Sequence, residues 1–219
     1  MLIAGNWKLN CNLKEAIQLS SSIFDILNKN KVLSEVALFP PIIYIDTIKK
    51  MNKNSNISIG AQDCSKNVSG AYTGEVSATM LLDIGCKYVI VGHSERRNGN
   101  HESNQDIFLK AKNVIDNKMI PIICVGESLK DREAGNALQF IESQLKESIP
   151  INKNNNEFII AYEPIWAIGS GKIPTIDSIN EMLNMIRQWL LNNGISNNTK
   201  ILYGGSVNKG NTKELFSCK

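Results

Sequence analysis

The sequence predicts an α/β fold in which parallel strands alternate with helices and close into a barrel. Short apolar runs recur along the chain, one starting every 22 to 43 residues, with amphipathic stretches between them. Polar residues cluster at the carboxyl end of nearly every run, and no GxGxxG follows the first one. The alternation predicts a parallel sheet, either doubly wound or closed. The other two observations favour the barrel.

Seven apolar runs predict the strands of this sheet. They are nearly continuous in Ile, Val, Leu and Ala rather than alternating with polar residues, which is typical of parallel strands buried on both faces. Gly, Pro or charged residues bound each run. The predicted strands are Leu2–Lys8, Glu35–Pro41, Ile57–Asp63, Tyr88–Glu95, Met119–Glu127, Phe158–Ala167 and Ile201–Val207.

The stretches between the strands predict helices. Apolar residues fall on helical spacing in Lys14–Leu27 and again in Ser178–Leu191. Within the second stretch, Ser178 and Glu181 have the spacing of a capping box, which predicts Ser178 as the N-cap.

Composition shows no boundary between domains. The Asn/Lys-rich pieces Met51–Asn56 and Asn152–Glu157 are typical of solvated connections before strands rather than of interdomain linkers. We therefore expect residues 1–219 to form a single domain.

The charge and hydropathy of the chain exclude several function classes. The 24 basic and 21 acidic residues are spread along the chain, so we expect no nucleic-acid partner. No apolar run approaches the ~18 residues of a membrane span, and the N-terminus carries no export leader, so we expect no membrane insertion and no export.

The cysteines indicate a reducing compartment. Their number is odd, their spacing is wide and none forms a CxxC pair, so neither a disulfide framework nor a zinc site is indicated. We expect a cytoplasmic protein without a metal. The five cysteines are Cys11, Cys64, Cys86, Cys124 and Cys218.

Five strings, in this order along the chain, resemble the signatures of the triosephosphate isomerase family. They are Gly5–Lys8, Gly70–Glu75, Val91–Arg97, Ala161–Gly171 and Tyr203–Val207. Five matches in sequence make chance a poor explanation. The resemblance implies a TIM (β/α)8-type barrel that interconverts dihydroxyacetone phosphate and D-glyceraldehyde 3-phosphate through an enediol or enediolate, in glycolysis and gluconeogenesis and without a cofactor.

The resemblance implies that Glu163 is the catalytic base. Interconversion of an aldose and a ketose moves a proton between adjacent carbons, which requires a base and an electrophile. A carboxylate walled off from water by apolar neighbours such as Pro164 and Trp166 becomes more basic. A surface salt bridge is the alternative, and the strand-end position with the lid sequence attached favours catalysis.

His93 is the implied electrophile. Ser94 and Glu95 open a predicted helix whose N-terminal dipole favours the neutral imidazole, which can donate to a carbonyl oxygen. A strand-end histidine alone is as often a structural hydrogen-bonding residue as a catalyst, and the motif favours the catalyst. The other histidine, His101, lies in a polar stretch, and we expect it to be solvated.

Charge and support for the reaction are implied at other strand ends. Lys8 supplies a fixed positive charge for the phosphate and the developing enediolate, and Asn6 lies on the same strand face. A strand-end lysine is more often solvated, but the Asn-Trp-Lys string favours the functional role. Glu95, Cys124 and Tyr203 are implied as supporting residues that do not transfer the proton.

A lid and a phosphate site are also implied by the resemblance. The lid has a stiff apolar middle between a proline and glycines. Backbone N–H groups of Gly169 and Ser206 are the implied phosphate donors, and Asn6 and Lys8 complete the substrate-binding set. The implied lid residues are Pro164, Ile165, Trp166, Ala167, Ile168, Gly169, Ser170, Gly171 and Lys172.

The family's eighth strand, with its phosphate-binding Gly-Gly, is not expected in this chain. Only 12 residues follow Val207, enough for a partial helix at Thr212–Phe216. With seven strands encoded, an open barrel exposes unpaired edges, and each buried unpaired group costs about 1–3 kcal/mol. We expect impaired activity or none unless a partner chain supplies the missing part. A non-catalytic remnant of the same fold is the alternative.

The loop 70–75 implies a homodimer, because it resembles the family's arm that reaches into a second subunit. Without the motif, an ordinary surface loop would be the better interpretation. A Schiff-base aldolase on the same barrel is disfavoured, since no spare lysine lies at a central strand end. The implied dimer residues are Tyr72, Thr73, Glu75 and Cys11.

Overall fold

The computed structural model describes residues 1–30, 32–52, 57–151, 157–168 and 174–216. The chain divides into two compact units. The first comprises residues 1–91 and 112–121, and the second comprises residues 92–111 and 122–219.

The strands of the first unit are parallel and follow chain order. They are β1 (Leu2–Asn6), β2 (Glu35–Phe39), β3 (Ile57–Ala61) and β4 (Tyr88–Val91). In the register, Leu2 faces Glu35 and Gly60 faces Tyr88. Every residue of β4 is buried, as expected for a strand covered on both faces.

The strands of the second unit show the same arrangement. They are β5 (Ile120–Val125), which joins this unit from Ile122 onward, β6 (Ile159–Tyr162) and β7 (Ile201–Tyr203). Pairing is parallel throughout, with Ile122 opposite Ile159 and Tyr162 opposite Tyr203. All seven predicted strands are confirmed. Each ends two to five residues before its predicted end, because the polar residues there belong to the loops that follow.

The helices of the first half of the chain connect these strands. They are α1 (Leu13–Lys29), a short 3-10 helix (Ile42–Tyr44), α2 (Ile45–Met51) and α3 (Ala78–Asp83). The helix α1 buries one stripe, Ala16, Ser20 and Phe24, at a spacing of four residues. Asn12 caps it in a capping box with Glu15.

The helices of the second half begin directly after β4. They are α4 (Ser94–Gly99), α5 (Asn104–Asp116), α6 (Leu129–Glu133), α7 (Ala137–Ser148), a 3-10 helix (Ile165–Ala167), α8 (Ile176–Asn192) and α9 (Thr212–Leu215). Among the described residues, no helix is long and apolar enough to cross a membrane.

The predicted capping box at the start of α8 is wrong. The helix begins at Ile176, and its N-cap is Thr175, whose side chain accepts from the Ser178 N–H. Ser178 is the third helical residue, and its hydroxyl accepts from the Arg132 guanidinium instead. Capping-box spacing favoured Ser178, which has Glu181 three residues on, over Thr175, which has Ser178 there. Many Ser/Thr–Glu pairs have this spacing without capping a helix, and Thr175 caps α8 with its own hydroxyl.

Candidate active site

The side chains of Glu163 and His93 meet in the second unit. Glu163 directly follows β6, and its backbone N–H donates to the Val125 carbonyl at 2.8 Å. One carboxylate oxygen, Oε1, lies 3.3 Å from His93 Nε2, and the other accepts from the Ser94 N–H at 3.1 Å. Both side chains are buried, with Glu163 4% and His93 7% exposed. The predicted base and the predicted electrophile are therefore neighbours.

The tautomer of His93 follows from its position as the N-cap of α4. Its Nδ1 accepts the Glu95 N–H at 3.2 Å, so Nδ1 carries no proton. A neutral ring must then carry its proton on Nε2, the atom that faces Glu163. Exposed Glu95 has its carboxylate 3.6 Å from Nδ1, outside hydrogen-bond distance. The imidazole can thus donate from Nε2.

Two glycines allow the close packing around Glu163. A methyl group at Gly126 would lie 1.7 Å from the Glu163 carbonyl oxygen, which is impossible without moving the backbone. A methyl group at Gly204 would lie 2.8 Å from the Glu163 Cγ. Sequence reasoning gave neither glycine a role, although both lie in the strand-end strings Val-Gly-Glu and Tyr-Gly-Gly.

Glu127 is a further residue that sequence reasoning left without a role. It is fully buried at the end of β5, and its Oε1 accepts from three donors: Tyr162 Oη at 3.2 Å, Trp166 Nε1 at 2.8 Å and Arg132 Nη1 at 3.0 Å. Burial, followed by the charge of Glu127, raises the pKa of the Tyr162 hydroxyl, which therefore stays a donor. Glu127 thus holds residues on both sides of Glu163 in the chain.

Cys124 lies next to Glu163, but its thiol is not placed to act as a nucleophile. It is 2% exposed, and burial, followed by the charge of Glu163, raises the pKa of its thiol. A neutral thiol is a poor nucleophile. That Cys124 only supports the site stays a prediction.

Part of the predicted lid is described. Pro164 leads into the 3-10 helix, and the carbonyl of Ala167 accepts from Ser206 Oγ at 3.0 Å. Ile168 ends the described stretch. Tyr203 contacts Tyr162 edge-on, with ring centroids 6.4 Å apart. The predicted lid and phosphate residues that lie outside the described residues are Gly169, Ser170, Gly171 and Lys172.

In the first unit, Asn6 ends β1 and Lys8 follows two residues later. The Lys8 backbone has a positive φ of 52°, and its N–H donates to Asn6 Oδ1 at 3.0 Å. Gln62 Nε2 donates to the carbonyls of Lys8 and Phe39, each at 2.9 Å. A left-handed non-glycine residue held by such bonds is typical of functional sites. Sequence reasoning gave Gln62 no role, and the structure shows it bonded to the backbone of Lys8.

The predicted dimer loop is exposed in the first unit. Tyr72, Thr73 and Glu75 are all exposed, and the Glu75 N–H closes a turn onto the Tyr72 carbonyl at 3.0 Å. Cys11 is half-buried with a positive φ of 73°. Large apolar side chains are exposed in the same unit, among them Leu9, Leu13, Ile43 and Val68.

Metal chemistry has no obvious location in the described part of the chain. No group of three or more His, Cys, Asp or Glu side chains is placed there to hold an ion. His101 is exposed, as expected.

A family model and two curated relatives that are similar to this chain carry the same name. The family model for triosephosphate isomerase matches residues 1–219. The triosephosphate isomerase of Lactobacillus delbrueckii subsp. bulgaricus is 42% identical over 99% of this chain and 87% of its own length. That of Phocaeicola vulgatus is 39% identical over 99% of this chain and 88% of its own length.

A solved structure matches this chain over the same share of its length. The crystal structure of triosephosphate isomerase from Bartonella henselae superposes with a TM-score of 0.88 at 31% sequence identity. The match covers 99% of this chain and 87% of that one. This match confirms the predicted α/β fold of the TIM (β/α)8 type.

Proposed function

Because the chain belongs to the triosephosphate isomerase family, we propose that four strand-end side chains carry its reaction: Glu163, His93, Lys8 and Asn6. The reaction interconverts dihydroxyacetone phosphate and D-glyceraldehyde 3-phosphate, a step of glycolysis and gluconeogenesis.

Glu163 is the base in this proposal. Its carboxylate removes a proton from one carbon of the triose and returns it to the adjacent carbon, so the substrate gains and loses no atoms overall. His93 donates its Nε2 proton toward the carbonyl oxygen as negative charge develops there. These are the roles in the family's known mechanism. Lys8 contributes a fixed positive charge, and Asn6 binds the substrate.

The observation that carries this proposal is the hydrogen-bonding state of His93. Its Nδ1 is occupied by the Glu95 N–H at 3.2 Å, which leaves Nε2 as the only donor of a neutral ring. That donor lies 3.3 Å from the Glu163 carboxylate. A base and a neutral proton donor at this distance can serve two adjacent atoms of one small substrate.

The substrate's phosphate is proposed to bind backbone N–H groups of Gly169 and Ser206, with Lys8 adding charge. Ser206 is described, and its hydroxyl is already engaged by the Ala167 carbonyl. Its backbone N–H is the group that the family resemblance assigns to phosphate. Residues 164–172 are proposed as the lid that excludes water.

The test of these roles is a pair of glutamate substitutions. Glu163→Gln removes the base while keeping the size of the side chain, so we expect kcat to fall by about 1,000-fold or more with little change in KM. Turnover of dihydroxyacetone phosphate, coupled to a dehydrogenase, measures both constants. Glu142→Gln, on the exposed face of α7, is the matched control. Equal activity of the two variants would remove Glu163 from the mechanism.

A second copy of this chain is the proposed partner of the first unit. Leu9 is 98%, Ile43 74% and Val68 63% exposed there, and these apolar side chains are ones that a second copy could cover. The loop 70–75 carries the family's arm sequence. We expect a homodimer in sedimentation experiments, and Thr73→Arg should place a desolvated charge in the interface and yield monomers. A wild-type chain that sediments as a monomer would contradict this proposal.

The cytoplasm is the proposed location. The proposed substrate is a glycolytic metabolite, and Cys64, Cys86 and Cys124 are buried and not joined in disulfides. Detection of the chain in a soluble cell fraction containing other glycolytic enzymes would test this location.

A further inference from the structure

Arg97 lies behind the Glu163–His93 pair and has no part in the roles above. Its Nε donates to the Gly92 carbonyl at 2.9 Å, and its Nη2 donates to the Cys124 carbonyl at 2.9 Å. Gly92 immediately precedes His93. Cys124 precedes Val125, whose carbonyl accepts the Glu163 N–H at 2.8 Å. One guanidinium therefore ties the backbone that carries His93 to the backbone that holds Glu163.

The orientation of this guanidinium is itself fixed. Its Nη1 donates to Asn104 Oδ1 at 2.6 Å, and the Asn104 amide donates onward to Glu147 at 2.9 Å. Ser148, fully buried at the end of α7, lies 3.5 Å from Nη2. With partners on three of its edges, the planar group can hold only one orientation.

The chemistry of these partners indicates a geometric role. Each acceptor that hydrogen-bonds to Arg97 in the described structure is neutral: two carbonyls, an amide oxygen and a hydroxyl. An arginine serving mainly as a charge would be expected to pair with a carboxylate. Here the rigid fork satisfies two strand-end carbonyls at once, which a single lysine ammonium cannot reproduce.

We propose that Arg97 is a positioning residue that sets the separation of His93 and Glu163 by joining the loop after β4 to the end of β5. This inference rests on the catalytic roles proposed above for those two residues. A displacement of about 1 Å between reacting groups can cost roughly 100-fold in rate. Loosening this bridge should therefore slow the proton transfer more than it weakens substrate binding.

Two substitutions separate geometry from charge. Arg97→Gln removes both, and Arg97→Lys keeps the charge but cannot reach both carbonyls. We expect kcat to fall about 100-fold in both variants while KM stays within about threefold. Binding of a phosphorylated hydroxamate that mimics the enediolate should weaken in parallel with kcat. Full recovery of kcat in Arg97→Lys would overturn the positioning role in favour of a simple charge effect.

A third variant tests the inference even if the Arg97 variants do not fold. Asn104→Ala keeps Arg97 but removes the oxygen that aims it, so we expect kcat to fall about tenfold in a protein that still melts cooperatively. If the Arg97 variants do not fold, this variant decides, and an unchanged kcat overturns the inference. Arg187→Gln is the matched control, because Arg187 also donates to a carbonyl, that of Thr199 at 2.6 Å, and is not part of this bridge.

Failure of this inference can be told apart from failure of the proposed roles. If Glu163→Gln and His93→Gln keep wild-type kcat, the roles themselves are wrong. If those two variants lose activity while folded Arg97 variants keep it, the roles stand and the positioning inference is wrong.

Discussion

The strand ends of the two units hold their functional candidates in different ways. In the second unit, Glu163 and His93 are buried and bonded through backbone and side-chain groups. In the first unit, Asn6 and Lys8 are only half-buried, and the Lys8 backbone is bonded to the side chains of Asn6 and Gln62.

This difference matches the physics of the two proposed tasks. Proton transfer needs reacting atoms within a few tenths of an ångström of the right place. An electrostatic contribution falls only as the inverse of distance, so a cation tolerates movement. The second unit is therefore expected to use the same contacts for stability and for function, whereas the first unit separates the two.

Loss of the Lys8 charge is the largest expected effect. For a pair about 4 Å apart at an effective dielectric constant of 20, the Coulomb term is about 4 kcal/mol, so Lys8→Met should lower kcat/KM by roughly 1,000-fold. The melting temperature should stay close to that of the wild type, because the side chain is half-exposed. Lys14→Met, at an exposed position of α1, is the control. A large drop in melting temperature would contradict the separation of stability and function.

For the glycines around Glu163, unlike for Lys8, we expect a substitution to lower stability and activity together. At Gly126 the added methyl group meets backbone, so Gly126→Ala should lose about 1–3 kcal/mol of unfolding free energy and roughly 100-fold in kcat together. At Gly204 the methyl group meets the flexible Glu163 side chain, so Gly204→Ala should lower kcat with a smaller loss of stability. Urea unfolding and coupled kinetics on both variants measure this. If Gly126→Ala is destabilised but keeps the wild-type kcat, the second unit does not use the same contacts for stability and for function.

The first unit has its own stabilising cluster at the other end of its strands. At the start of β2, Glu35 Oε1 accepts from Lys87 Nζ and from Tyr88 Oη, each at 2.6 Å. Burial, followed by the hydrogen bond to Glu35, raises the pKa of Tyr88 to about 12. The hydrogen bond to Glu35 is the main cause that raises the pKa of Lys87.

These shifts give the smallest of the expected effects. Because the raised pKa keeps Tyr88 protonated in the folded state while the unfolded state ionises near pH 10, stability is lost as the pH rises from about 10 toward 12. Lys87 acts in the same direction. We expect Tyr88→Phe to be less stable by about 2 kcal/mol at pH 8, with this difference shrinking above pH 10. Thermal melts between pH 8 and 12 measure it, and kcat at pH 8 should not change. A constant difference across this range would exclude Tyr88 ionisation as the cause.

Much of the fold could be predicted from local sequence. Continuous apolar runs predicted every strand, since a strand buried on both faces must be apolar at each position, as β5 is. The strands end earlier in the chain than predicted. The motif residues that follow each strand lie beyond its last inter-strand hydrogen bond. The start of α8 was misplaced because Ser178 has the capping-box spacing to Glu181, whereas the observed N-cap, Thr175, is a good cap by residue type alone.

The supporting residues of the site were harder to predict from the sequence. The bond from the Ser94 N–H to Glu163 spans 69 positions, and the bond from Trp166 Nε1 to Glu127 spans 39. Nothing in the local pattern distinguishes Glu127 from other strand-end carboxylates or Arg97 from Arg96. Burial and partners make that distinction, and both depend on contacts distant in sequence.

The sequence by itself determined the order of strands and helices, the strand-end position of the reactive residues and the family. Periodicity and short strings suffice for these, because they depend on neighbouring residues. Only the tertiary structure decided which nitrogen of His93 can donate, which glycines enclose Glu163 and which arginine joins the loop after β4 to the end of β5. These properties are distances between atoms, and a distance of a few ångströms between remote residues exists only once the chain is packed.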